Sequence, residues 1–239
     1  MPPGQQTSVD MRKLLIAISA VALALPSWSM EFKLVGSTLV MSGPVVGDDL
    51  AHLKDQLTTK QVKLVLLHQS PGSDLWNGLR LAERIHDNAL PTAVSGKFES
   101  AYGLIFLGGI ERSFIDGHAR GQTMLGLHGA HNVKTKQAMP EMGAQMGYFI
   151  RTMTADKFPR NLLDRTVYPK GYRDIIYVFH PRRFLDQSMP RGVMEYLLQP
   201  DEKHKCKMIE TLDALSIGVI TNPEIISLDI EVKDYLSEL

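Results

Sequence analysis

Between residues 37 and 129 the chain alternates between apolar runs of strand length and amphipathic runs of helix length. This pattern limits it more than any other feature. The run VKLVLLHQ (62–69) is almost unbroken in its apolar centre, so a strand there must be covered on both faces. Segment 37–43 (STLVMSG) reads as a buried strand ending at a turn, 91–96 as a short strand and 122–129 (QTMLGLHG) as another. Between them, 47–59 places Leu50, Leu53 and Leu57 on one helical face, with Asp48 or Asp49 as its cap. Residues 75–88 do the same with Leu75, Leu79, Ala82 and Ile85. Strand–helix alternation of this kind implies an α/β domain with right-handed crossovers. No internal repeat and no Gly/Ser linker interrupts it, so residues 30–239 read as a single domain. Residues 138–199, which carry several prolines, read as a largely helical extension.

Sheets of this class carry their sites at the carboxyl ends of strands. The loops 68–74, 95–101 and 128–132 lie there. Ser100 opens an apolar segment, AYGLIFLGG, and a serine at a helix start can be a cap or a nucleophile. Unpaired N–H groups and the positive end of a helix dipole would stabilise an oxyanion beside it. Gly72, in the tight loop SPGSD, lets backbone approach a substrate closely. His128 ends the strand MLGLH and is placed to reach Ser100 as a general base, and His131 is its rival. His128 is expected within hydrogen-bonding reach of Ser100, with His131 turned elsewhere.

With 26 basic and 26 acidic residues and 44% apolar content, the chain is an ordinary folded protein with no electrostatic claim on nucleic acid. Its start is different. Arg12 and Lys13 precede the apolar run LLIAISAVALAL (14–25), and Ser27 and Ser29 form a small-x-small pair. That order reads as a secretory signal over residues 1–29, with Met11 a candidate true start and cleavage after Ser29. The apolar run is well short of the roughly 20 residues a membrane-spanning helix needs, so no stable span remains after cleavage. The expected location is periplasmic or secreted in a bacterium. In that oxidising setting Cys206, the one cysteine, has no internal partner.

The stretches STLVMSGPVVGDDLAHLKDQL, VKLVLLHQSPGSDLWNGLRLAERI, TAVSGKFESAYGLIFLGG and LGLH together resemble the Clp-protease/crotonase-like superfamily, specifically secreted bacterial relatives of the Clp protease proteolytic subunit. The likeness covers residues 34–132 well, and LDALSIGVI (212–220) weakly, as the helix and turn that close the family's domain. It implies an α/β superhelix of repeated β-β-α units with a helical C-terminal extension. It implies Ser100 as nucleophile, His128 as base, and an oxyanion hole from Gly72 and the Ala101 N–H, with Ser73 where the family has a second loop glycine. The family's third residue, an aspartate, falls on Cys206 here, within KHKCK. Asp201 is the preferred substitute and Asp174 the other. The implied activity is a serine peptidase acting on peptide or protein substrates, with no cofactor or metal, and compatible with a homo-oligomer. The alternative is a catalytically inactive relative used for binding or assembly. An acyl-CoA enzyme fits poorly with export, and a Ser-Lys peptidase lacks an obvious lysine base, Lys97 being the nearest.

Overall fold

The computed structural model describes residues 29–115, 123–132, 134–181, 192–201 and 203–239. The signal-like run before Ser29 lies outside these.

The chain builds one mixed sheet. It opens with β1 (Glu31–Val35) and β2 (Thr38–Ser42), an antiparallel pair turning at Gly36. Helix α1 (Asp49–Thr59) leads to β3 (Leu64–Ser70), α2 (Leu75–Asp87) to β4 (Thr92–Glu99), and α3 (Ala101–Leu107) to the short β5 (Arg112–Phe114). β6 (Met124–Leu127) follows. The chain then forms α4 (Gly143–Met153) and α5 (Arg160–Val167) before β7 (Ile175–Val178), β8 (Val193–Leu198), β9 (His204–Ile209) and α6 (Ile230–Glu238). The strand order is β1-β2-β3-β4-β6-β7-β8-β9, with β5 also paired to β4. β2, β3, β4 and β6 run parallel, whereas β6 through β9 are antiparallel.

The two-residue period of the strands sorts the core into two layers. Leu39, Met41, Val65, Leu67, Val94 and Phe98 face one way and pack with Leu53 of α1, Leu79 and Ile85 of α2, and all of the apolar side chains of α3. Val40, Leu66 and Ala93 face the other way, where Leu228, Val232 and Leu236 cover them. The closing helix of the domain is therefore α6. Residues 212–220, expected as a helix and turn, hold turns without a helix. Asp213 accepts from the Leu215 and Ser216 N–H groups and its own N–H donates to the Ser216 hydroxyl, a capping-box pattern followed by turns only.

The expectation for 138–199 holds in its first half only. α4 and α5 occupy it, but β7 and β8 extend the sheet. The buried Glu195 of β8 pairs with Arg165 of α5, which ties the two halves together. Among the described residues no helix is long and apolar enough to cross a membrane.

One buried cation organises the back of the domain. The Arg112 guanidinium donates to the Val219, Leu107, Gly109, Met153 and Gly218 carbonyls at 2.7–3.4 Å. Five donors meet the open carbonyls at the ends of α3 and α4 and in the 218–219 turn, with no carboxylate among these partners. Burial pushes the group down to about 10, so it stays charged at neutral pH.

Candidate active site

β4 ends at Glu99, Ser100 makes a single sharp turn, and α3 begins at Ala101. Ser100 sits at φ 63 and ψ −127, a conformation that costs a non-glycine residue about 1–3 kcal/mol. Its hydroxyl makes no capping hydrogen bond. A serine that only capped α3 would have extended backbone and a bonded side chain. Ser100 has neither. A strained strand-to-helix turn is how a nucleophilic serine is lifted clear of its own backbone.

The turn is held from outside. The Ser100 N–H donates to the Gly126 carbonyl at 3.0 Å, and the Gly103 N–H to the Ser100 carbonyl at 3.0 Å. Gly72 presses against it from the loop after β3. At φ +81, a methyl group placed there would lie 2.5 Å from Ser100 Cβ and 2.6 Å from the Glu99 carbonyl oxygen. No other residue fits. The β3–β4 register shifts between His68 and Ser70, where β4 spends three residues (Ser95 to Phe98) against two, an irregularity of the kind that β-bulges make beside functional sites.

Ser100, Gly72, Ser73 and His128 line one cleft of about 540 Å³. Pro44, Leu75, Trp76, Met139 and Met142 give it an apolar wall. Gly72 was expected to aim its N–H into this cleft, but the N–H donates to the Ser70 hydroxyl at 3.1 Å. Ser70 is free to accept because its own proton goes to the Gly43 carbonyl at 2.7 Å. The loop is further stitched by Val45 N–H to the Gly72 carbonyl and Asp74 N–H to the Val45 carbonyl. Among the described residues the N–H groups of Ser73 and Ala101 find no acceptor.

His128 follows β6 and is half-buried at the cleft. Its Nδ1 lies 2.9 Å from the Gly129 carbonyl. A carbonyl can only accept, so in the neutral ring Nδ1 carries the proton and Nε2 is left as the base. Burial holds the imidazole below its ordinary value, and His131 pushes the same way, whereas the Gly129 carbonyl and Glu99 oppose them. The ring is therefore neutral at neutral pH, the form a general base needs. No hydrogen bond joins Ser100 to His128 among the described residues, and unliganded sites commonly close such bonds only around substrate. His131 does not turn elsewhere. It lines the same cleft, its ring 5.1 Å from that of His128 and 6.1 Å from that of Tyr172.

Asp201 does not serve as the third residue. It is exposed near the tip of the β8–β9 hairpin and pairs with Lys205 at 3.0 Å. Asp174 is buried but spent, accepting from the N–H groups of Lys170, Gly171 and Leu198 and lying 3.2 Å from His204 Nε2. Cys206 is exposed on β9. The position that an acid would fill is taken by a backbone carbonyl, which has no side-chain signature for sequence reading to find. Sequence reading also missed the apolar wall from Met139 and Met142, because the prolines and polar residues around them hide any periodicity. No group of three or more metal-ligating side chains occurs among the described residues.

No family model matches the sequence, and no curated protein matches it. Among solved structures, the chain is similar to the membrane-bound stomatin-specific protease 1510-N, at 14% identity and TM-score 0.43 over 84% of this chain and 82% of that one. It is similar to ClpP1 from Listeria monocytogenes, at 12% identity and TM-score 0.44 over 84% of this chain and 94% of that one. It is also similar to an enoyl-CoA hydratase/isomerase from Marinobacter aquaeolei, at 10% identity and TM-score 0.43 over 87% of this chain and 74% of that one. At such identities the chemistry has to be read from the site itself.

Proposed function

We propose that the chain is an exported serine hydrolase that cleaves peptides, with Ser100 as nucleophile and His128 as general base. The observation that carries this is the Ser100 backbone, strained at a strand–helix turn with its hydroxyl free of any cap. Ser100 Oγ attacks the substrate carbonyl carbon while His128 Nε2 takes the hydroxyl proton. The carbonyl oxygen becomes an oxyanion and is received by the Ala101 and Ser73 N–H groups. The tetrahedral intermediate expels the amine, which takes the proton back from Nε2, and leaves an acyl-Ser100. Water, deprotonated by the same Nε2, then releases the acid and restores both residues. The Gly129 carbonyl holds the imidazole in the required tautomer throughout. The apolar wall of Leu75, Trp76, Met139 and Met142 suits an apolar side chain of the substrate.

One observation favours the second reading, an inactive relative used for binding or assembly. No carboxylate touches His128 Nδ1, so the imidazolium lacks the charge that a triad acid supplies. The pH dependence of covalent capture separates the two. The rate of reaction with a fluorophosphonate should hold its neutral plateau past the ordinary histidine value of about 6.5 and fall only below it. A fall centred above about 7, or no reaction at any pH, contradicts the hydrolase reading. Stability follows with a known sign. Below about 6.5 the unfolded chain binds a proton at His128 that the folded chain resists, so this residue's contribution is complete above that pH and lost as pH falls.

Export rests on the N-terminal pattern. N-terminal sequencing of the protein recovered outside the cytoplasm should begin within a few residues of Met30. Recovery of the intact chain from the cytoplasm alone would count against it.

A further inference from the structure

His128 has no acid at Nδ1, and yet a carboxylate stands close by on the neighbouring strand. Glu99 is the last residue of β4, and the parallel β4–β6 register sets it opposite Gly126. His128 lies two residues beyond Gly126 and one past the end of β6, so the strand period carried one residue further places it on the face of Glu99, and each group feels the other's charge. Neighbouring strands about 4.8 Å apart and a two-residue rise of about 6.6 Å put the two backbones about 8 Å apart on the diagonal, within the reach of two long side chains.

The glutamate is also aimed. Gly126 has no side chain, and a methyl group there would meet Glu99 Cγ at 3.1 Å and Tyr177 Cε1 at 3.1 Å. Glu99 therefore lies across the surface of β6. Its Oε1 accepts from the Tyr177 hydroxyl at 2.5 Å and pairs with Lys97 Nζ at 2.8 Å. These partners hold it in place and keep it ionised. Burial works against the charge, but the bonds from Lys97 and Tyr177 outweigh it and hold the carboxyl below the usual range.

We infer that Glu99 is a positioning residue for the proposed reaction, supplying through space the negative charge that steadies His128 when it takes the Ser100 proton. This inference rests on the hydrolase reading for its purpose, but the coupling itself does not depend on activity. No bond to the imidazole is required. A fixed unit charge at that distance in a partly wet medium is enough to move a titration measurably. The groups facing the pair are His131 beside His128, Lys97 and Tyr177 beside Glu99, and Tyr196 and Cys206 beyond Tyr177.

Two substitutions of opposite sign test the coupling. Glu99→Gln keeps the shape and can still accept from Tyr177, but removes the charge. Lys97→Met removes the cation that offsets it, at a side chain that is half exposed. The His128 ring should be titrated by NMR in the full mature protein and in each variant, with the thermal midpoint as a check on folding. Glu99→Gln should lower the His128 midpoint by about half a pH unit, and slow fluorophosphonate capture by about two- to threefold on the neutral plateau. Lys97→Met should raise the His128 midpoint, because the Tyr177 hydroxyl still holds Glu99 as a carboxylate whose charge is then no longer offset. An unchanged midpoint in Glu99→Gln, or shifts of the same sign in both variants, would overturn the inference. Failure of the wild-type protein to react with the fluorophosphonate would count against the hydrolase reading alone, while the NMR midpoints still decide the role of Glu99.

Discussion

His128→Ala is expected to slow covalent capture of Ser100 by about three orders of magnitude, the usual worth of a positioned general base. A serine hydroxyl is a weak nucleophile unless its proton is removed as it attacks. In this cleft the neutral, Nε2-basic imidazole of His128 is suited to that task, because the Gly129 carbonyl holds its Nδ1 proton. The alternative base is His131, in the same cleft and with its ring 5.1 Å away. His131→Ala should therefore lower the rate far less than His128→Ala. The opposite ranking would move the base to His131 and leave the role of Ser100 intact. Comparable small effects from both would remove the general base altogether. The thermal midpoint should change little in either variant, since neither ring is part of the packed core.

Arg112→Leu should be the most destabilising single change outside the apolar core. The guanidinium satisfies five carbonyls that have no other donor of comparable reach. Leucine fills part of the volume but strands those acceptors in a site Arg112 leaves only 5% exposed. An unsatisfied buried acceptor costs about 1–3 kcal/mol, although water and small shifts recover part of the sum. A net loss of about 3–5 kcal/mol follows, as for other broken buried hydrogen-bond networks. In a domain of this size that lowers the thermal midpoint by roughly 10 °C. Arg112→Lys should recover some of it, because an ammonium offers three donors without the planar fork. Below the lowered midpoint Ser100 should still react, since Arg112 grips the far end of α3 and not the turn that carries the serine. A thermal midpoint within about 2 °C of wild type would show that the carbonyls find other partners.

The sheet's parallel half was plain in the sequence because each of its elements carries its own periodicity. β2, α1, β3, α2 and α3 lie within a few residues of where their apolar patterns place them, and β4 runs three residues past its expected end at 96. Those three residues matter, since they bring Glu99 and Ser100 level with β6. The antiparallel half was not legible. β7 is only four residues long, and β8 and β9 are half-buried strands whose alternation is blurred by Glu195, Lys205 and Lys207. A strand of that kind is specified by its neighbours more than by itself. Of the site, Ser100, Gly72 and His128 could be placed by their positions at strand ends. The direction of the Gly72 N–H could not, because it depends on where Ser70 sends its proton. The partner of His128 could not either, because a main-chain carbonyl leaves no mark in the sequence.

The proposed chemistry stands or falls on Ser100 as the nucleophile. Its most direct test is to react the mature protein with a fluorophosphonate, digest it and map the adduct by mass spectrometry. The structure predicts one adduct, on the peptide carrying Ser100, and none in Ser100→Ala, whose thermal midpoint should stay close to wild type because no capping bond is lost. Equal labelling of wild type and Ser100→Ala, or an adduct mapped to another serine, would contradict it.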